Sequence, residues 1–354
     1  MDAGQQTTDG AAADATAPRR HLGRLIDGYL TTQLLYVAAK LGVADVLADG
    51  PRTGEEVALA VGAEPDVLTR MLRGLVLEDV LAEDGRGRFA LTAVGEGLRE
   101  GVPGSQRGAI LVRGELYWSA AAGMLRTAIE GGTAFEHVHG ERFFEHLAAD
   151  PAREAAFQAS MADRAQREAA DVVAVYDFAG LREIVDVGGG SGVLLEAILR
   201  ATPGLYGVLV DRPEAVELAR CRLGAAGMAD RCRCTTGDFF AQLPPGADAY
   251  LLSRVIHDWD DADARRVLAT CGAAMPADAR LLLVEAIVPE CPRDAPEAIR
   301  MDLHMLMLLR ARERTEAQFR HLLAGAGFDL RRVVPTGSAA GLSVLEAAVA
   351  SGAR

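Results

Sequence analysis

The segment that most constrains the fold is a short apolar run that ends in glycines. Residues 184–187 form a buried-strand pattern, and glycine occupies four of the five positions 188–192, directly before a helical pattern. Glycines at such a junction let the backbone turn sharply and let a ligand approach without a Cβ in the way. Further strand patterns alternate with helical ones over residues 206–284. This alternation predicts an α/β fold, a parallel sheet with helices on both faces that binds a nucleoside at one edge. Residues 328–334 and 342–349 predict a closing hairpin that adds an antiparallel strand at the sheet edge.

The spacing of the glycines separates two kinds of nucleoside cofactor. Enzymes that bind dinucleotides favour Gly-x-Gly-x-x-Gly, in which the third glycine lets helix and strand pack closely. Counted from Gly188, that third position is Val193, which argues against nicotinamide and flavin cofactors. Gly188 and Gly190 are therefore expected to lie against a different nucleoside. Asp186 adds a carboxylate that could order the loop and face a cofactor's ammonium group.

Polar and aromatic residues follow the next three strand patterns. A carboxylate at Asp211, where the second strand ends, can accept hydrogen bonds from both hydroxyls of a ribose. Asp238 and Phe239 follow the third strand and suit the amino group and the ring of adenine. Ser253 ends the fourth strand, where the amino-acid end of a cofactor would lie. Since the carboxyl ends of parallel strands meet at one edge, these signals together indicate S-adenosylmethionine as the cofactor.

A histidine lies just beyond the fourth strand. The acids that follow it at positions 260–263 are typical of a helix N-terminus and are interpreted as capping residues. His257 lies beside the predicted cofactor edge, and its ordinary pKa of about 6.5 lets it accept a proton at neutral pH. A histidine base needs a carboxylate to orient its ring, and both Glu285 and Glu313 are candidates. No metal is expected at this site.

Composition narrows the class of partners. The chain has 354 residues and a formal net charge of −13, which disfavours nucleic acid and anionic membranes as partners. It has no uncharged apolar stretch of the roughly 18 residues that a membrane span needs. It has five cysteines, an odd number, and its sequence shows no secretion signal. Reduced thiols and a cytoplasmic location are therefore predicted.

Residues 20–100 predict helices with one hairpin, formed by residues 80–83 and 88–91, which is a winged-helix pattern. Winged helices often bind DNA, but residues 51–100 contain six arginines against ten acidic residues. An acidic winged helix is a poor DNA-binding surface. A structural or dimerising role is therefore favoured, and a cofactor-binding transcriptional regulator is the alternative from another class.

Four regions are predicted along the chain. They are a disordered tail (1–17), a winged-helix-like dimerisation domain (18–105), a helical linker that contributes to a substrate pocket (106–180) and a Rossmann-like cofactor-binding catalytic domain (181–354). Aromatic residues make up only 5% of the chain but are concentrated in the linker, as expected for a pocket that holds a flat aromatic substrate. The predicted pocket residues are Trp118, Phe157, Asp258, Asp302 and Met305.

On these residues the chain resembles the small-molecule O-methyltransferases of the plant caffeate type. It resembles more closely their actinobacterial antibiotic-tailoring relatives, such as those that methylate anthracyclines and mitomycins. The resemblance covers roughly residues 20–350 and rests on the winged-helix region and on residues 185–192, 237–240, 257–259, 283–285 and 312–315. It implies a Rossmann-like class I methyltransferase domain with an N-terminal, mainly helical dimerisation domain, and a homodimer.

The resemblance also implies roles for single residues: cofactor contacts at Gly188, Asp211, Asp238, Phe239 and Ser253, a general base at His257 flanked by Glu285 and Glu313, and Met161 near the methyl group. Plant members carry a lysine where this chain has Ser253, which places the chain with the bacterial branch. Some bacterial relatives lack the histidine and hydroxylate or decarboxylate instead, so the presence of His257 favours methylation of a phenolic hydroxyl on an aromatic natural product. A C- or N-methyltransferase and a repurposed hydroxylase stay open.

Overall fold

The computed structural model describes residues 16–338 and 340–350. The chain forms two compact units, Met1–Trp118 and Ser119–Arg354. Most of the predicted N-terminal tail, residues 1–15, lies outside the described residues, and the first helix already begins at Ala17.

The first unit is mainly helical. Its helices are α1 (Ala17–Ile26), α2 (Gly28–Leu41), α3 (Val43–Leu47), α4 (Gly54–Val61), α5 (Pro65–Leu77) and α6 (Arg107–Val112). Its strands are β1 (Arg52–Thr53), β2 (Leu81–Glu83) and β3 (Arg88–Leu91), which form an antiparallel sheet in the order β1-β3-β2. The predicted hairpin is therefore present, and β1 adds a third strand to it.

Local sequence explains where α4 begins. The Thr53 hydroxyl accepts a hydrogen bond from the Glu56 amide, and the Glu56 carboxylate accepts one from the Thr53 amide. This capping box satisfies two amides that the first turn of a helix cannot pair internally. The apolar side of α4 and α5 then packs around the fully buried Phe89 of β3.

The second unit begins with short helices and one long helix. They are α7 (Trp118–Ala121), whose first residue still belongs to the first unit, α8 (Met124–Glu130), α9 (Ala134–His139), α10 (Phe143–Ala148) and the long α11 (Pro151–Val175). The helices that follow are α12 (Val193–Ala201), α13 (Pro213–Ala225), α14 (Asp261–Ala274), α15 (Pro296–Leu308) and α16 (Glu316–Gly325).

The second unit contains a seven-stranded sheet. Its strands are β4 (Glu183–Val187), β5 (Tyr206–Asp211), β6 (Cys232–Thr236), β7 (Ala249–Ser253), β8 (Arg280–Ala286), β9 (Phe328–Pro335) and β10 (Leu342–Val349). The order is β6-β5-β4-β7-β8-β10-β9, with β4 to β8 parallel. The closing hairpin was expected to add one antiparallel strand at the edge. Instead both of its strands join the sheet, and β10 lies between β8 and β9.

The sheet is buried on both faces, as a parallel sheet covered by helices must be. Alternate residues of β4 and β8 point to opposite faces: Val185 and Leu283 pack with α14 and α16. Ile184 and Leu282 pack with α11, α12 and α13 on the other side. The predicted α/β class is confirmed.

The topology determines where a ligand can bind. Strand order reverses between β5 and β7, on either side of β4, and such a switch point leaves a crevice at the carboxyl ends of the strands. The loops after β4, β5, β7 and β8 therefore meet at one edge. Within the described residues, none of the helices combines the length and apolar character that crossing a membrane requires.

Candidate active site

The loop after β4 is built from glycines in conformations that other residues seldom adopt. Gly188 has a φ of +70° and Gly190 a φ of +56°. A Cβ on Gly188 would lie 2.8 Å from Cγ2 of Val255 and 3.6 Å from Cε1 of Phe239, so another residue there would displace its neighbours. The Gly190 amide donates to Oδ2 of Asp211 at 2.8 Å, which ties the loop to the end of β5.

Asp186 is the buried acid next to this loop. It is 1% exposed, and neither carboxylate oxygen has a hydrogen-bond partner among the described residues. Burial, helped by the charge of Asp211, raises the pKa of Asp186 to about 7. Buried acceptors without a donor are rare in native proteins. The loop therefore fits a ligand that brings a cationic donor, as the ammonium group of S-adenosylmethionine would.

The remaining predicted cofactor residues lie on three other elements. Asp238 is exposed, and its Oδ1 accepts the Phe240 amide at 2.9 Å, which shapes the loop after β6. Phe239 is half-buried against the glycine loop. Ser253 is half-buried at the end of β7, and Met161 is half-buried on α11.

His257 lies in a single helical turn, Ile256–Asp258, just after β7. It is 4% exposed, and its Nδ1 lies 2.9 Å from Oε1 of Glu313 and 3.9 Å from Oε2 of Glu285. Glu285 instead accepts the Ile256 amide at 2.8 Å. Of the two carboxylates that the sequence left open, Glu313 therefore forms the hydrogen bond that orients the ring.

The charges around His257 favour its protonated form. Burial alone would lower the pKa of the imidazole, but the charges of Asp258, Glu285 and Glu313 outweigh it and raise the pKa to about 9. Asp258 contributes from the other side of the ring, where its Oδ1 lies 3.4 Å from Nε2. Burial raises the pKa of Glu285 to about 7, whereas His257 and Arg254 hold the pKa of Glu313 below its ordinary value against the effect of burial.

Arg314 holds the turn that carries His257. Its side chain is almost fully buried and donates to the carbonyl oxygens of Ile256 and Trp259 at 3.0 and 2.8 Å. It also pairs with Asp261 at 2.9 Å. Because the loop before α16 supplies both Arg314 and Glu313, one segment holds both the backbone and the ring of His257.

Two further charged residues were not predicted to belong to the site. Arg254 follows β7 directly, and its guanidinium binds Glu168 of α11 at 2.7 Å and Glu313 at 3.4 Å. Nothing local in the sequence marks Glu168, which looks like an ordinary charge on a long helix. The only signal for Arg254 is its place between Ser253 and His257.

The predicted pocket residues differ in their burial and in the element on which they lie. Phe157 is buried, with its ring centroid 5.4 Å from that of Phe143. Met305 is buried on α15, and Asp302 on the same helix accepts the Glu313 amide at 2.9 Å. Asp302 thus supports the partner of His257. Trp118, 38% exposed, is the last residue of the first unit.

Nitrogen and oxygen atoms that could bind a metal ion come within 4.8 Å of one another on His257, Glu285 and Glu313. This spacing suits a small cation or a hydrogen-bonded triad. The short Nδ1–Oε1 contact and the amide on Glu285 favour the triad. Asp260, by contrast, caps α14 by accepting the amides of residues 262 and 263, and Asp261 pairs with Arg314.

Comparison with known families matches both parts of the chain. Residues 118–329 match the O-methyltransferase domain family, and residues 24–100 match the O-methyltransferase dimerisation domain. A phenazine O-methyltransferase of Lysobacter antibioticus is 42% identical over 96% of this chain and 99% of its own length. A phenazine-1-carboxylate N-methyltransferase of Pseudomonas aeruginosa is 34% identical over 90% and 94%.

Solved structures agree with these relatives. The mitomycin 7-O-methyltransferase superposes with a TM-score of 0.88 at 35% identity, covering 96% of this chain and 100% of that chain. An O-methyltransferase from neocarzinostatin biosynthesis, solved with S-adenosylmethionine and 2-hydroxy-5-methyl naphthoic acid, gives 0.78 at 35% identity, covering 90% and 96%.

Similarity of this extent, together with the left-handed glycine loop beside the buried Asp186, makes the chain an S-adenosylmethionine-dependent methyltransferase of class I, Rossmann-like fold. More narrowly, it belongs to the O-methyltransferase family whose members carry an N-terminal dimerisation domain. The resemblance drawn from the sequence, including its bacterial antibiotic-tailoring branch, is confirmed.

Proposed function

We propose that this enzyme methylates a phenolic hydroxyl of an aromatic natural product, with His257 as the general base. The observation that carries the proposal is the buried hydrogen bond of 2.9 Å between Nδ1 of His257 and Oε1 of Glu313. An ionised carboxylate accepts a hydrogen bond from the Nδ1–H group, so in the neutral ring the other nitrogen, Nε2, is left to accept a proton from a substrate.

The residues expected to hold S-adenosylmethionine are Asp186, Gly188, Gly190, Asp211, Asp238, Phe239, Ser253 and Met161. When bound, the cofactor supplies an electrophilic methyl group on a positively charged sulfur. Asp186 offers an unpartnered carboxylate to the ammonium group, and Asp211 offers acceptors to the ribose. The glycine backbone lets the nucleoside approach where a Cβ would block it.

The buried base suits a phenol as the acceptor. The pKa of His257, raised to about 9, is close to that of an ordinary phenol, about 10. Transfer of the phenolic proton to Nε2 therefore costs little free energy, and Glu313 and Glu285 stabilise the imidazolium that forms. Burial of His257 also keeps bulk water away from the transferred proton.

The substrate class rests on the relatives and on the pocket residues. Relatives act on phenazines, and one solved relative holds a hydroxynaphthoic acid. We propose a comparable aromatic ring here, contacted in the second unit by Phe157, Asp258, Asp302 and Met305. Trp118, in the first unit, stays a prediction from the sequence.

A panel of phenols tests this function. We expect one CH₂ unit to be added to a hydroxyphenazine, to 1,4-dihydroxy-2-naphthoic acid or to a related phenol in the presence of S-adenosylmethionine, as read by mass spectrometry. Gain of an oxygen atom would contradict methyl transfer and indicate the repurposed hydroxylase. Methylation at carbon, located by NMR, would contradict O-methylation.

N-methylation is the second candidate, because a relative 34% identical to this chain is an N-methyltransferase. 3-Amino-4-hydroxybenzoate carries both acceptor atoms in one molecule, and a relative named for its 4-O-methylation is 37% identical. We expect the methyl group on oxygen. A phenol becomes a good nucleophile when a base such as His257 removes its proton, whereas a neutral amine can attack without losing a proton first. Methylation of the nitrogen alone would favour the second candidate.

A homodimer is part of the proposal. The first unit matches the dimerisation domain, and its helices α1 and α2 expose apolar side chains at helical spacing: Leu22, Leu25, Ile26, Tyr29 and Leu30. Exposed apolar stripes of this kind mark protein interfaces. Light scattering should give the mass of two chains, and a single-chain mass would contradict it. The cysteines of the described chain are all free thiols, in keeping with the cytoplasmic location that we propose.

A further inference from the structure

Four charged side chains form a continuous line at the active site. Arg254 donates to Glu168 from Nη2 at 2.7 Å and from Nε at 3.3 Å. Its Nη1 donates to Oε1 of Glu313 at 3.4 Å, and the same oxygen lies 2.9 Å from Nδ1 of His257. The Arg254 side chain is 9% exposed and that of Glu168 is 13% exposed, so solvent screens these interactions little.

The backbone of Arg254 is also unusual. Its φ is +56°, in the left-handed region, and among the described non-glycine residues only Asp79 shares this feature. Its amide still donates to the Val284 carbonyl at 3.0 Å. Glycine would adopt this conformation without strain. An arginine kept at a position that strains its backbone supports a role for the side chain.

Charged groups face His257 from several elements. Arg164 and Glu168 come from α11, Arg254 and Asp258 from the two sides of the histidine along the chain, Glu285 from β8 and Glu313 from the loop before α16. Four carboxylates thus face two guanidinium groups. The net charge of the cluster is negative, which favours protonation of His257. Each guanidinium is positive and therefore lowers the affinity of the cluster for a proton.

We propose that Arg254 is a positioning residue for the reaction: anchored by Glu168, it holds Glu313 in place and limits the proton affinity of the His257–Glu313 pair. This inference rests on the proposed function, because it takes His257 as the base. Neither Arg254 nor Glu168 need touch the substrate.

Removing the charge of Arg254 and removing that of Glu168 should shift the pKa of His257 in opposite directions. Arg254→Met removes a positive charge beside Glu313, so the apparent pKa of His257 should rise by about 1. Glu168→Gln removes a negative charge, so that Glu313 is the one carboxylate still bound by Arg254. The apparent pKa of His257 should therefore fall by about the same amount. The double variant loses one charge of each sign and should return close to the wild-type value.

Arg254→Lys separates charge from geometry. Lysine keeps the positive charge but lacks the planar fork that binds two carboxylates at once. The apparent pKa should therefore stay near the wild-type value while kcat falls about tenfold, because Glu313 is held less firmly.

The readout is the His257 ring itself. NMR of the full-length, ¹³C-histidine-labelled protein with S-adenosylhomocysteine bound gives the titration curve, with the resonance assigned by its loss in His257→Gln. The pH profile of kcat/KM, measured with the most active phenol of the panel above, reports the reaction. Thermal unfolding and S-adenosylhomocysteine affinity show which variants are folded. If Arg254→Met does not fold, the effect of the Arg254 charge is read from the difference in the pKa of His257 between Glu168→Gln and the double variant.

Opposite shifts in the two single variants support the inference. Equal titration curves in all folded variants would overturn it. If the NMR curves shift but the kcat/KM profiles do not follow them, the charge relation stands and the base role of His257 fails. That outcome would overturn the proposed function and not the role of Arg254 and Glu168 in setting the charge.

Discussion

Two buried carboxylates at the same edge of the sheet differ in the partners that the chain gives them. Asp186, beside the glycine loop, has no hydrogen-bond partner among the described residues. Glu313 faces His257 and Arg254, and Asp302 holds its amide. A buried charge is costly unless it is paired. On the side of Glu313, the proposed catalytic side, the chain therefore supplies its own cations. On the side of Asp186, the proposed cofactor side, we propose that the bound cofactor supplies the cation.

Removing the base should break the catalytic side and leave the cofactor side intact. His257→Ala should lower kcat by about 10²–10⁴, with the affinity for S-adenosylmethionine, measured by calorimetry, little changed. His321→Ala, an exposed histidine on α16, is the matched control and should keep wild-type activity. A fully active His257→Ala variant would remove this residue from the proposed role.

The pH dependence should show the charge of the catalytic side. The carboxylates raise the pKa of His257 to about 9, and only the unprotonated ring can accept a proton. The value of kcat/KM should therefore rise about tenfold per pH unit below that pKa and level off above it. A profile that is flat between about pH 7 and 9 for the same phenol would contradict this assignment.

Asp186→Asn should separate binding from stability on the cofactor side. The folded pKa of Asp186, about 7, lies above its ordinary value of 3.8. Its contribution to stability is therefore fully present below 3.8 and is lost progressively as the pH rises from there to about 7. At pH 8 the cofactor-free Asn variant should be more stable than wild type, by about 2–4 kcal/mol, in chemical denaturation.

The same variant should bind S-adenosylmethionine about tenfold more weakly or worse, because the ammonium group loses its carboxylate. Unchanged affinity together with increased stability would mean that Asp186 is an isolated buried acid that takes no part in binding.

The smallest expected effect compares two glycines of one loop. Gly188→Ala should destabilise the protein by about 2 kcal/mol, since it combines a left-handed φ with a Cβ placed 2.8 Å from Val255. Gly190→Ala shares the left-handed φ, but its Cβ would meet no atom within 4 Å, so about 1 kcal/mol of strain is expected. Equal losses in urea unfolding would show that the contact with Val255 relaxes freely.

The glycine loop and the strand ends of the proposed cofactor side are visible in the sequence because most of their features are local. The buried strand and the glycines are contiguous in residues 184–192, and each later acid or aromatic residue directly follows a strand pattern. The antiparallel hairpin was expected, but the place of β10 was not, because strand order depends on packing between distant segments.

The catalytic side was harder to predict because its parts are distant in sequence. Both Glu285 and Glu313 suited His257, and only their distances from Nδ1, 3.9 and 2.9 Å, distinguish them. Arg254 and Glu168 carry no motif. Their pairing arises because α11 passes close to the end of β7, which no local pattern reveals.

The position of β10 has a consequence for how the protein is made. β10 pairs with β8 on one side and β9 on the other, and Ser343 lies opposite Glu285. During synthesis, β8 therefore keeps one edge unpaired until residues 342–349 have left the ribosome. An apolar strand with an open edge invites pairing with other chains. The nascent enzyme is thus exposed to such pairing at β8 in the interval between the synthesis of β8 and that of β10.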